Sequence, residues 1–384
     1  MNTARIAVIG AGVAGLACAR GLQVHGIPVT VYEREASEAA RWQGGMLDLH
    51  APTGQAALRA IGLYEQFRAV ARPEAQELRW LDPVTAAILN HEEPDDEYYA
   101  PEIDRGQLRE LLLGSLAPDT VQWGRSVADV TTVDGVVQVR FGDGTMEVFD
   151  LVVGADGAWS RVRPAVSGAL PVYTDESMIE THLDDVDTRH PALAGLIGLG
   201  TMVASADRMM ICTQRNSGGH VLVYAAFEDI PLDWPTIAGV DLGDAEAVRA
   251  YLVNRFAGWH DGLLDLVRHS DGGFINRPIH RLPTGHAWTH VPGVTLLGDA
   301  AHLLPPHGIG ANLALLDGSD LAAAIAAHDD LDQAVRAYES VMLPRSIAAA
   351  HTDLEVAALM EEGPDVGVNA VRKLFNERML DATA

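Results

Sequence analysis

Lysine is almost absent from this sequence, since Lys373 is the one lysine among 384 residues. Nearly all of the positive charge is therefore arginine, which removes lysine from most catalytic schemes. The 27 basic residues face 53 acidic ones, and the formal net charge is −26 at pH 7. Nucleic acid and anionic membranes would repel such a chain. We therefore expect neither of them as a partner.

Cysteine and long apolar runs are also scarce. Cys18 and Cys212 match no metal or redox spacing, and Cys18 falls in a helical pattern where a small buried apolar residue is expected. No run of about 18 apolar residues occurs, and the N-terminus shows no leader pattern. We predict a soluble, cytoplasmic protein of about two domains.

Glycine is concentrated in one informative turn, Gly10-x-Gly12-x-x-Gly15. An apolar strand precedes this turn, a helix follows it, and Glu33 ends the next strand. Gly10 allows the tight turn, Gly12 removes the Cβ that would block a pyrophosphate, and Gly15 lets the helix pack closely on the strand. Glu33 would accept the ribose hydroxyls. The pattern predicts an adenine-dinucleotide site, and by itself it also fits an NAD-dependent dehydrogenase.

The middle of the chain has the pattern of short strands. Residues 121–149 read as a β-meander with hairpin turns at Asp134-Gly135 and Asp143-Gly144. Apolar strands at residues 151–153 and 294–297 end in polar residues, as strands around a ligand do. Residues 172–274 lack strand–helix alternation, and we interpret them as a separate antiparallel sheet inserted into the nucleotide domain.

The last fifty residues follow a helical pattern. One helix is predicted from Leu331, and Pro344 is able to bend it. A second amphipathic helix is predicted from Pro364, with Val371 and Leu374 on its apolar face.

Several separated motifs together identify a family. The chain resembles the class A FAD-dependent monooxygenases, the para-hydroxybenzoate hydroxylase family, over essentially its whole length. Within that family, residues 44–50 and 101–105 are most similar to the tetracycline-inactivating monooxygenases of the TetX type, and they mark a subgroup rather than a substrate. The family motifs are Gly10-x-Gly12-x-x-Gly15, Arg105-x-x-Leu108-x-x-x-Leu112, Asp156-Gly157 with Arg161 and Arg163, Gly298-Asp299-Ala300-Ala301-His302 with Pro305-Pro306, and Gly310-Ala311-Asn312.

The resemblance implies an α/β fold. It consists of a Rossmann-like FAD-binding domain of the GR2 type, an inserted antiparallel-sheet substrate domain and a C-terminal helix. The corresponding ranges are 1–70, 100–170 and 276–330 for the FAD-binding domain, 71–99 and 171–275 for the substrate-binding domain, and 331–384 for the C-terminal helices.

The resemblance also implies a reaction. FAD is reduced by NADPH or NADH, which binds transiently because no nicotinamide domain is visible. A flavin C4a-hydroperoxide then transfers one oxygen atom of O₂ to an electron-rich aromatic, enolic or polyketide-like small molecule. A Baeyer–Villiger oxygenation on the same scaffold stays open, and a monomer is expected.

The cofactor contacts follow from the same resemblance. Asp299 would accept a hydrogen bond from the ribityl chain, and Arg105 would donate to ribityl and phosphate oxygens. The turn at residues 308–312 would aim backbone N–H groups at the flavin N1–C2=O edge. Arg34 could contact the nicotinamide, and Asp156-Gly157 resembles a motif shared by flavin and nicotinamide. The full set of implied cofactor contacts is Gly10, Gly12, Ala14, Gly15, Glu33, Arg34, Gly45, Asp48, Arg105, Asp156, Gly157, Gly298, Asp299, Pro306, Gly308, Gly310, Ala311 and Asn312.

Three residues are candidates for catalysis. Glu180 and His182 alternate onto one face of a strand, where either could orient the substrate or deprotonate a phenol; a solvent-facing polar row is the alternative. His307 lies in a turn that is one residue shorter than the commoner family form, and it could contact substrate or flavin, or have a solvated or structural role.

Other chemistries are less consistent with the sequence. The Trp-x-Trp-x-Ile-Pro motif and interior lysine of flavin-dependent halogenases are absent. His91-Glu92 lacks the second histidine of a zinc protease, so we assign no metal site. Glu180 and Thr201 stand where the tetracycline-degrading members supply a glutamine and an arginine, so tetracycline is not the expected substrate. A flavin-binding or substrate-sequestering protein without turnover remains the alternative function.

Overall fold

A computed structural model describes residues 4–40, 44–94, 99–133 and 136–361, together with positions 371, 374, 377 and 378. Within them the strands are β1 (Ile6–Ile9), β2 (Thr30–Tyr32), β3 (Met46–Asp48), β4 (Leu78–Leu81), β5 (Ile88–Glu92), β6 (Glu102–Asp104), β7 (Val121–Gln122), β8 (Val127–Val133), β9 (Val136–Phe141), β10 (Met146–Phe149), β11 (Leu151–Gly154), β12 (Val172–Leu183), β13 (Thr201–Ala206), β14 (Met209–Arg215), β15 (Val221–Phe227), β16 (Ile275–Arg281) and β17 (Val294–Leu296). The helices are α1 (Val13–Val24), α2 (Gly54–Ala60), α3 (Tyr64–Val70), α4 (Arg105–Gly114), α5 (Val186–Arg189), α6 (Pro191–Ile197), α7 (Trp234–Ala238), α8 (Ala245–Arg255), α9 (Asp261–Arg268), α10 (Asp299–His302), α11 (Gly310–Ala327) and α12 (Leu331–Glu361).

A five-stranded parallel sheet has the order β17-β11-β1-β2-β7. Its central strand β1 is buried along its whole length and carries only apolar side chains, as a parallel strand covered on both faces does. On one face the packing comes from β8, β9 and β10, since Phe141 and Phe149 contact the Tyr32 ring. β1 pairs in parallel with β11 and β2, and β11 pairs with β17. The strand–helix–strand unit at the start of the chain is therefore confirmed.

Helices α1 and α11 pack against each other at glycine. A Cβ on Gly318 would lie 2.6 Å from the carbonyl oxygen of Ala14, so no larger residue fits at this crossing. The close approach sets the middle of α11 against the first turns of α1, which follow the glycine-rich turn.

The β-meander is confirmed for β8, β9 and β10, which form a three-stranded antiparallel sheet. Gly144, at φ +84°, makes its second hairpin turn, as predicted; Asp134-Gly135 lies outside the described residues. The predicted start of the meander was wrong. Val121–Gln122 pairs in parallel with β2, because helix α4 returns the chain to the edge of the parallel sheet.

A seven-stranded sheet forms the middle of the molecule, in the order β16-β12-β15-β14-β13-β4-β5. It is antiparallel except for the pair β13 and β4, which the sequence pattern did not indicate. Strand β16 extends the sheet to Arg281. The division into domains stays a proposal, and we move its boundary from residue 275 to residue 281.

Two hydrophobic cores correspond to the two large sheets. In the second, helices α8 and α9 cover the face of the seven-stranded sheet that carries Ile179, Leu183 and Val223. Its opposite face is turned toward the parallel-sheet region. This is the face that shapes the site.

Helix α12 continues through Pro344 and packs Val335, Tyr338 and Met342 into the first core. The helix predicted from Pro364 lies outside the described residues except at isolated positions. Among the residues described, no helix is both long and apolar enough to cross a membrane.

Candidate active site

Four neighbouring strands of the parallel sheet end at the same edge. Glycine-rich or acidic residues follow each of them: Gly10 after β1, Glu33 after β2, Asp156 after β11 and Gly298 after β17. Ligands bind at this edge in open parallel sheets. The structure thus brings together motifs that lie far apart in the sequence.

Two glycines show that this edge is shaped for a ligand. A Cβ on Gly10, at φ +110°, would collide with the carbonyl oxygen of Ala155. A Cβ on Gly12, the exposed N-cap residue of α1, would meet no protein atom beyond the adjoining residues within 4 Å. The backbone at Gly157 and Gly310 faces open space in the same way. These glycines fit a cleft in which an extended cofactor approaches the main chain.

Glu33 already supports the glycine-rich turn. Its carboxylate accepts hydrogen bonds from the backbone N–H of Ala11 at 2.7 Å and of Glu35 at 2.9 Å. The side chain is 8 % exposed, and its orientation is therefore fixed. Arg34, by contrast, is exposed at the rim.

Asp299 faces the cleft. The residue is exposed to solvent, although nearby protein, including Arg105 and His302, partly desolvates its carboxylate. Burial raises the pKa of its carboxyl group, against the nearby positive charges of His302 and Arg105. A carboxyl group in this position can bond a hydroxylated chain such as the ribityl group.

Arg163 holds the two loops around Asp299 together, a role that the sequence pattern did not reveal. Its guanidinium donates to the carbonyl oxygens of Ala158, Asp299 and Ala300 at 2.8, 3.0 and 2.8 Å. Asp156 is likewise occupied, because it accepts from the Ser160 hydroxyl at 2.5 Å. The Asp156 side chain therefore shapes its own loop.

A buried ionic network lies beneath the Gly298–Asp299 turn. Asp317, on α11, accepts from the backbone N–H of Gly298 at 2.9 Å, contacts His302 at 2.5 Å and pairs with Arg345 at 3.0 Å. Despite its burial, His302 and Arg345 hold the pKa of the Asp317 carboxyl below its usual range. Sequence reasoning missed this network, since charged residues inside helices usually face solvent.

Helix α4 contributes two arginines with different tasks. Arg105 opens the helix, is exposed, and donates its backbone N–H to Gly45 at 2.9 Å. Arg109, one turn later, is buried and donates to the carbonyl oxygens of Ala11 at 3.3 Å and Glu38 at 2.9 Å. A spacing of four residues places both on one helix face, which was the available signal for Arg109.

Asn312 has a fully occupied side chain. Its oxygen accepts from the backbone N–H of His50 at 2.8 Å and of Gly54 at 3.2 Å, and its amide donates to the carbonyl oxygens of Asp48 at 2.8 Å and Gly308 at 3.2 Å. The side chain therefore ties residues 48–54 to the start of α11. Asn312 can therefore contact a cofactor only through its backbone N–H. This is one of the N–H groups at the start of α11 that have no hydrogen-bond partner within the helix.

The inward face of the seven-stranded sheet meets the flavin-side loops at Gly45. A Cβ on Gly45 would lie 3.3 Å from the Gln214 amide oxygen and 3.5 Å from the Tyr224 hydroxyl. Burial raises the pKa of Tyr224, and the charge of Glu180 adds to this effect, so the phenol stays protonated. The sequence did not single out Tyr224, because β15 is apolar on both faces.

Glu180 and His182 lie on the same inward face, opposite Ile179 and Leu183, as predicted from their alternation. Glu180 is buried and forms a two-point ion pair with Arg277, at 2.6 and 2.8 Å. His182 lies further out, 3.6 Å from the carboxylate of Asp184.

Both residues line a recess of about 450 Å³ at the open edge of the sheet. Of the two, Glu180 is the one beside Tyr224. His307 instead contacts Asp353 of α12, at 2.7 Å. The structure therefore does not bring the three catalytic candidates to one point.

The comparisons with known proteins agree with this site. The family described as "FAD binding domain" matches residues 3–236. The chain is 31 % identical to the monooxygenase penA of Penicillium thymicola, over 89 % of this chain and 92 % of that protein. It is 33 % identical to a 3-amino-4-hydroxybenzoate 2-monooxygenase of Streptomyces cremeus, over 89 % and 84 %.

Solved structures show the same fold at lower identity. HpxO of Klebsiella pneumoniae, complexed with FAD and uric acid, is 22 % identical, with a TM-score of 0.79 over 99 % of this chain and 98 % of that one. The tetracycline destructase Tet(51) is 22 % identical, with a TM-score of 0.68 over 99 % and 96 %.

Proposed function

The chain belongs to the FAD-binding-domain family and is an FAD-dependent monooxygenase, and from that premise we propose that it uses NAD(P)H and O₂ to hydroxylate an electron-rich aromatic, enolic or polyketide-like small molecule. One observation carries this proposal. The backbone N–H of Met46 donates to the Gln214 amide oxygen at 3.4 Å, and a Cβ on the adjacent Gly45 would lie 3.5 Å from the Tyr224 hydroxyl, so a cofactor at the parallel-sheet edge and a substrate on the sheet face would share one cleft. The Streptomyces relative, whose name specifies an aminophenol acid, is consistent with an electron-rich ring.

The residues present would hold FAD by backbone and side chain together. The turn at Gly10 and Gly12 would leave room for the pyrophosphate, and Glu33 would bind the ribose. Asp299 and Arg105 would bind the ribityl chain. When bound, FAD supplies the activation of O₂ and the transfer of one oxygen atom, which protein side chains cannot perform alone. The N–H groups that open α11 would stabilise negative charge at the flavin edge.

The substrate side is assigned to Tyr224 and Glu180. The protonated Tyr224 hydroxyl can donate to a substrate oxygen, and no described residue accepts a hydrogen bond from it. Glu180 is held by Arg277, so we assign it to orienting a polar substituent first and to proton transfer only if the ion pair opens.

The proposal is tested with purified protein, a panel of phenols and polyketide aromatics, and both nicotinamide cofactors. We expect a bound-flavin visible spectrum, ligand-dependent oxidation of NAD(P)H, and a product that has gained one oxygen atom. A flavin-loaded protein that binds ligands tightly but never oxidises NAD(P)H in their presence would instead establish a sequestering protein.

A further inference from the structure

The turn at residues 305–309 lies between the FAD cleft and the C-terminal helix. On the cleft side, a Cβ on Gly308 would lie 3.5 Å from the carboxylate of Asp48. On the other side, Ile309 and Leu313 pack on Ala349 and Val356 of α12. The position of the turn, and hence of the N–H groups that open α11, therefore depends on a helix that begins after the FAD-binding motifs end.

One polar contact joins the turn to that helix. The Nδ1 atom of His307 lies 2.7 Å from the Oδ1 atom of Asp353, whose side chain is 2 % exposed. No sequence motif pointed to Asp353, which is 46 residues from its partner. A buried carboxylate that accepts from one imidazole nitrogen fixes both the ring orientation and the tautomer.

Charges from three elements surround the imidazole. Asp353 comes from α12 and Glu176 from β12, while Asp48 at the end of β3 faces the adjacent Gly308. Burial lowers the pKa of His307, but the hydrogen bond and charge of Asp353, together with Glu176, outweigh this, and the pKa is raised overall. Burial also raises the pKa of the Glu176 carboxyl, with the Glu228 charge adding to it and His307 opposing it.

We propose that Asp353 is a positioning residue for the FAD-binding turn: it holds His307, and through His307 it fixes residues 305–309 against the C-terminal helix. His307 then connects the turn to the helix and is not a catalytic group. The inference uses only the FAD-binding part of the proposed function, because the turn faces the cofactor cleft.

The arrangement has a pH dependence whose sign follows from the raised pKa. The stabilisation from protonated His307 is fully present below about 6.5, the ordinary histidine pKa. It is lost as pH rises through the higher pKa of the folded protein. Because the proposed position of the turn depends on protonated His307, we expect FAD affinity to fall as pH increases through that range. The fall should disappear in His307→Gln and should move to lower pH in Asp353→Asn, which removes a charge that raises the pKa of His307.

The test compares Asp353→Asn and Asp353→Ala with Glu355→Gln, a charge-neutralising control at an exposed carboxylate on the same helix, which pairs with Arg378. FAD dissociation constants and flavin reduction potentials are measured without substrate, over a pH series. We expect Asp353→Ala to weaken FAD binding about 10-fold and to make the potential more negative, because fewer N–H groups face the flavin edge. Asp353→Asn should be intermediate and Glu355→Gln unchanged.

Two further variants keep the test decisive if Asp353→Ala fails to fold. His307→Gln and the double variant His307→Gln/Asp353→Asn preserve side-chain volume, and the double variant should bind FAD no more weakly than the weaker single variant. Wild-type affinity, potential and pH profile in Asp353→Asn and His307→Gln would overturn the inference. Normal flavin binding without substrate oxidation would overturn the proposed function and leave this inference standing.

Discussion

The edge of the parallel sheet and the inward face of the seven-stranded sheet approach each other at Gly45, but they are built differently. At the first, the main chain sets the shape to which the side chains of Glu33 and Asp299 are added: Gly10 is required for its backbone conformation, and Gly12 and Gly157 leave open space. The second is made of side chains that approach from distant parts of the chain, as Glu180 and Arg277 do across 97 residues. A backbone site leaves a short motif in the sequence, whereas a side-chain site leaves almost none.

The largest effect should come from removing the backbone shape itself. We expect Gly10→Ala to destabilise the protein by about 5 kcal/mol, because the new Cβ would collide with the Ala155 carbonyl oxygen at a strained positive φ. Chemical denaturation measures the loss of folding stability, and FAD titration measures the accompanying loss of FAD affinity. A stable variant with normal FAD affinity would show that this edge tolerates side chains after all.

The next effect tests the support beneath the same edge. Asp317→Asn should cost about 3 kcal/mol, since it removes the anionic partner of the buried His302 and one of the two carboxylates that pair with Arg345, which keeps Asp320. The stabilisation from the low pKa of Asp317 is present above the ordinary aspartate pKa of about 3.9 and is lost as pH falls through the lower folded value. Acid unfolding curves of the wild-type protein and of Asp317→Asn measure this pH-dependent stabilisation. Coincident curves would contradict the prediction.

A smaller effect should appear in FAD affinity without a change in folding stability. We expect Gly12→Ala to leave the melting temperature of the FAD-free protein unchanged, because no protein atom lies within 4 Å of the new Cβ. FAD binding should weaken about 100-fold, since only the cofactor would occupy that space. Gly114→Ala, also in open space but on α4, is the control and should bind FAD normally.

The smallest effect belongs to the side-chain region. Glu180→Gln should leave FAD affinity unchanged and lower kcat/KM for the substrate about 10-fold, because the partner of Arg277 loses its charge. Asp229→Asn, which neutralises an exposed partner of Arg208, is the matched control. If Glu180→Gln weakened FAD binding as much as substrate turnover, the two regions would not be separable.

The same difference explains what could be predicted from the sequence. The glycine-rich turn, Glu33 and the inner strands of the parallel sheet follow from periodicity and turn chemistry within short windows. Tyr224 could not be found this way, since Val221, Leu222, Val223 and Ala225 leave no alternation to show which face of β15 is inward. Asp317 and Arg345 are recognisable only after α11 and α12 are packed together.

The pairing of the short strand Val121–Gln122 also could not be predicted from local sequence. The residues of this strand suit an antiparallel meander as well as the edge of the parallel sheet. Which sheet they join depends on where helix α4 returns the chain. Asn312 lies in the first turn of α11, as predicted, but its side-chain partners at residues 48–54 lie more than 250 residues away, beyond any local pattern.

The central claim is that one cleft holds both FAD and an oxygen-accepting substrate, and turnover under isotopically labelled O₂ tests it most directly. The account predicts a flavin-loaded protein that consumes NAD(P)H in step with product and places one labelled oxygen atom in each product molecule. A protein that takes up no FAD, or a product whose new oxygen comes from water, would contradict it.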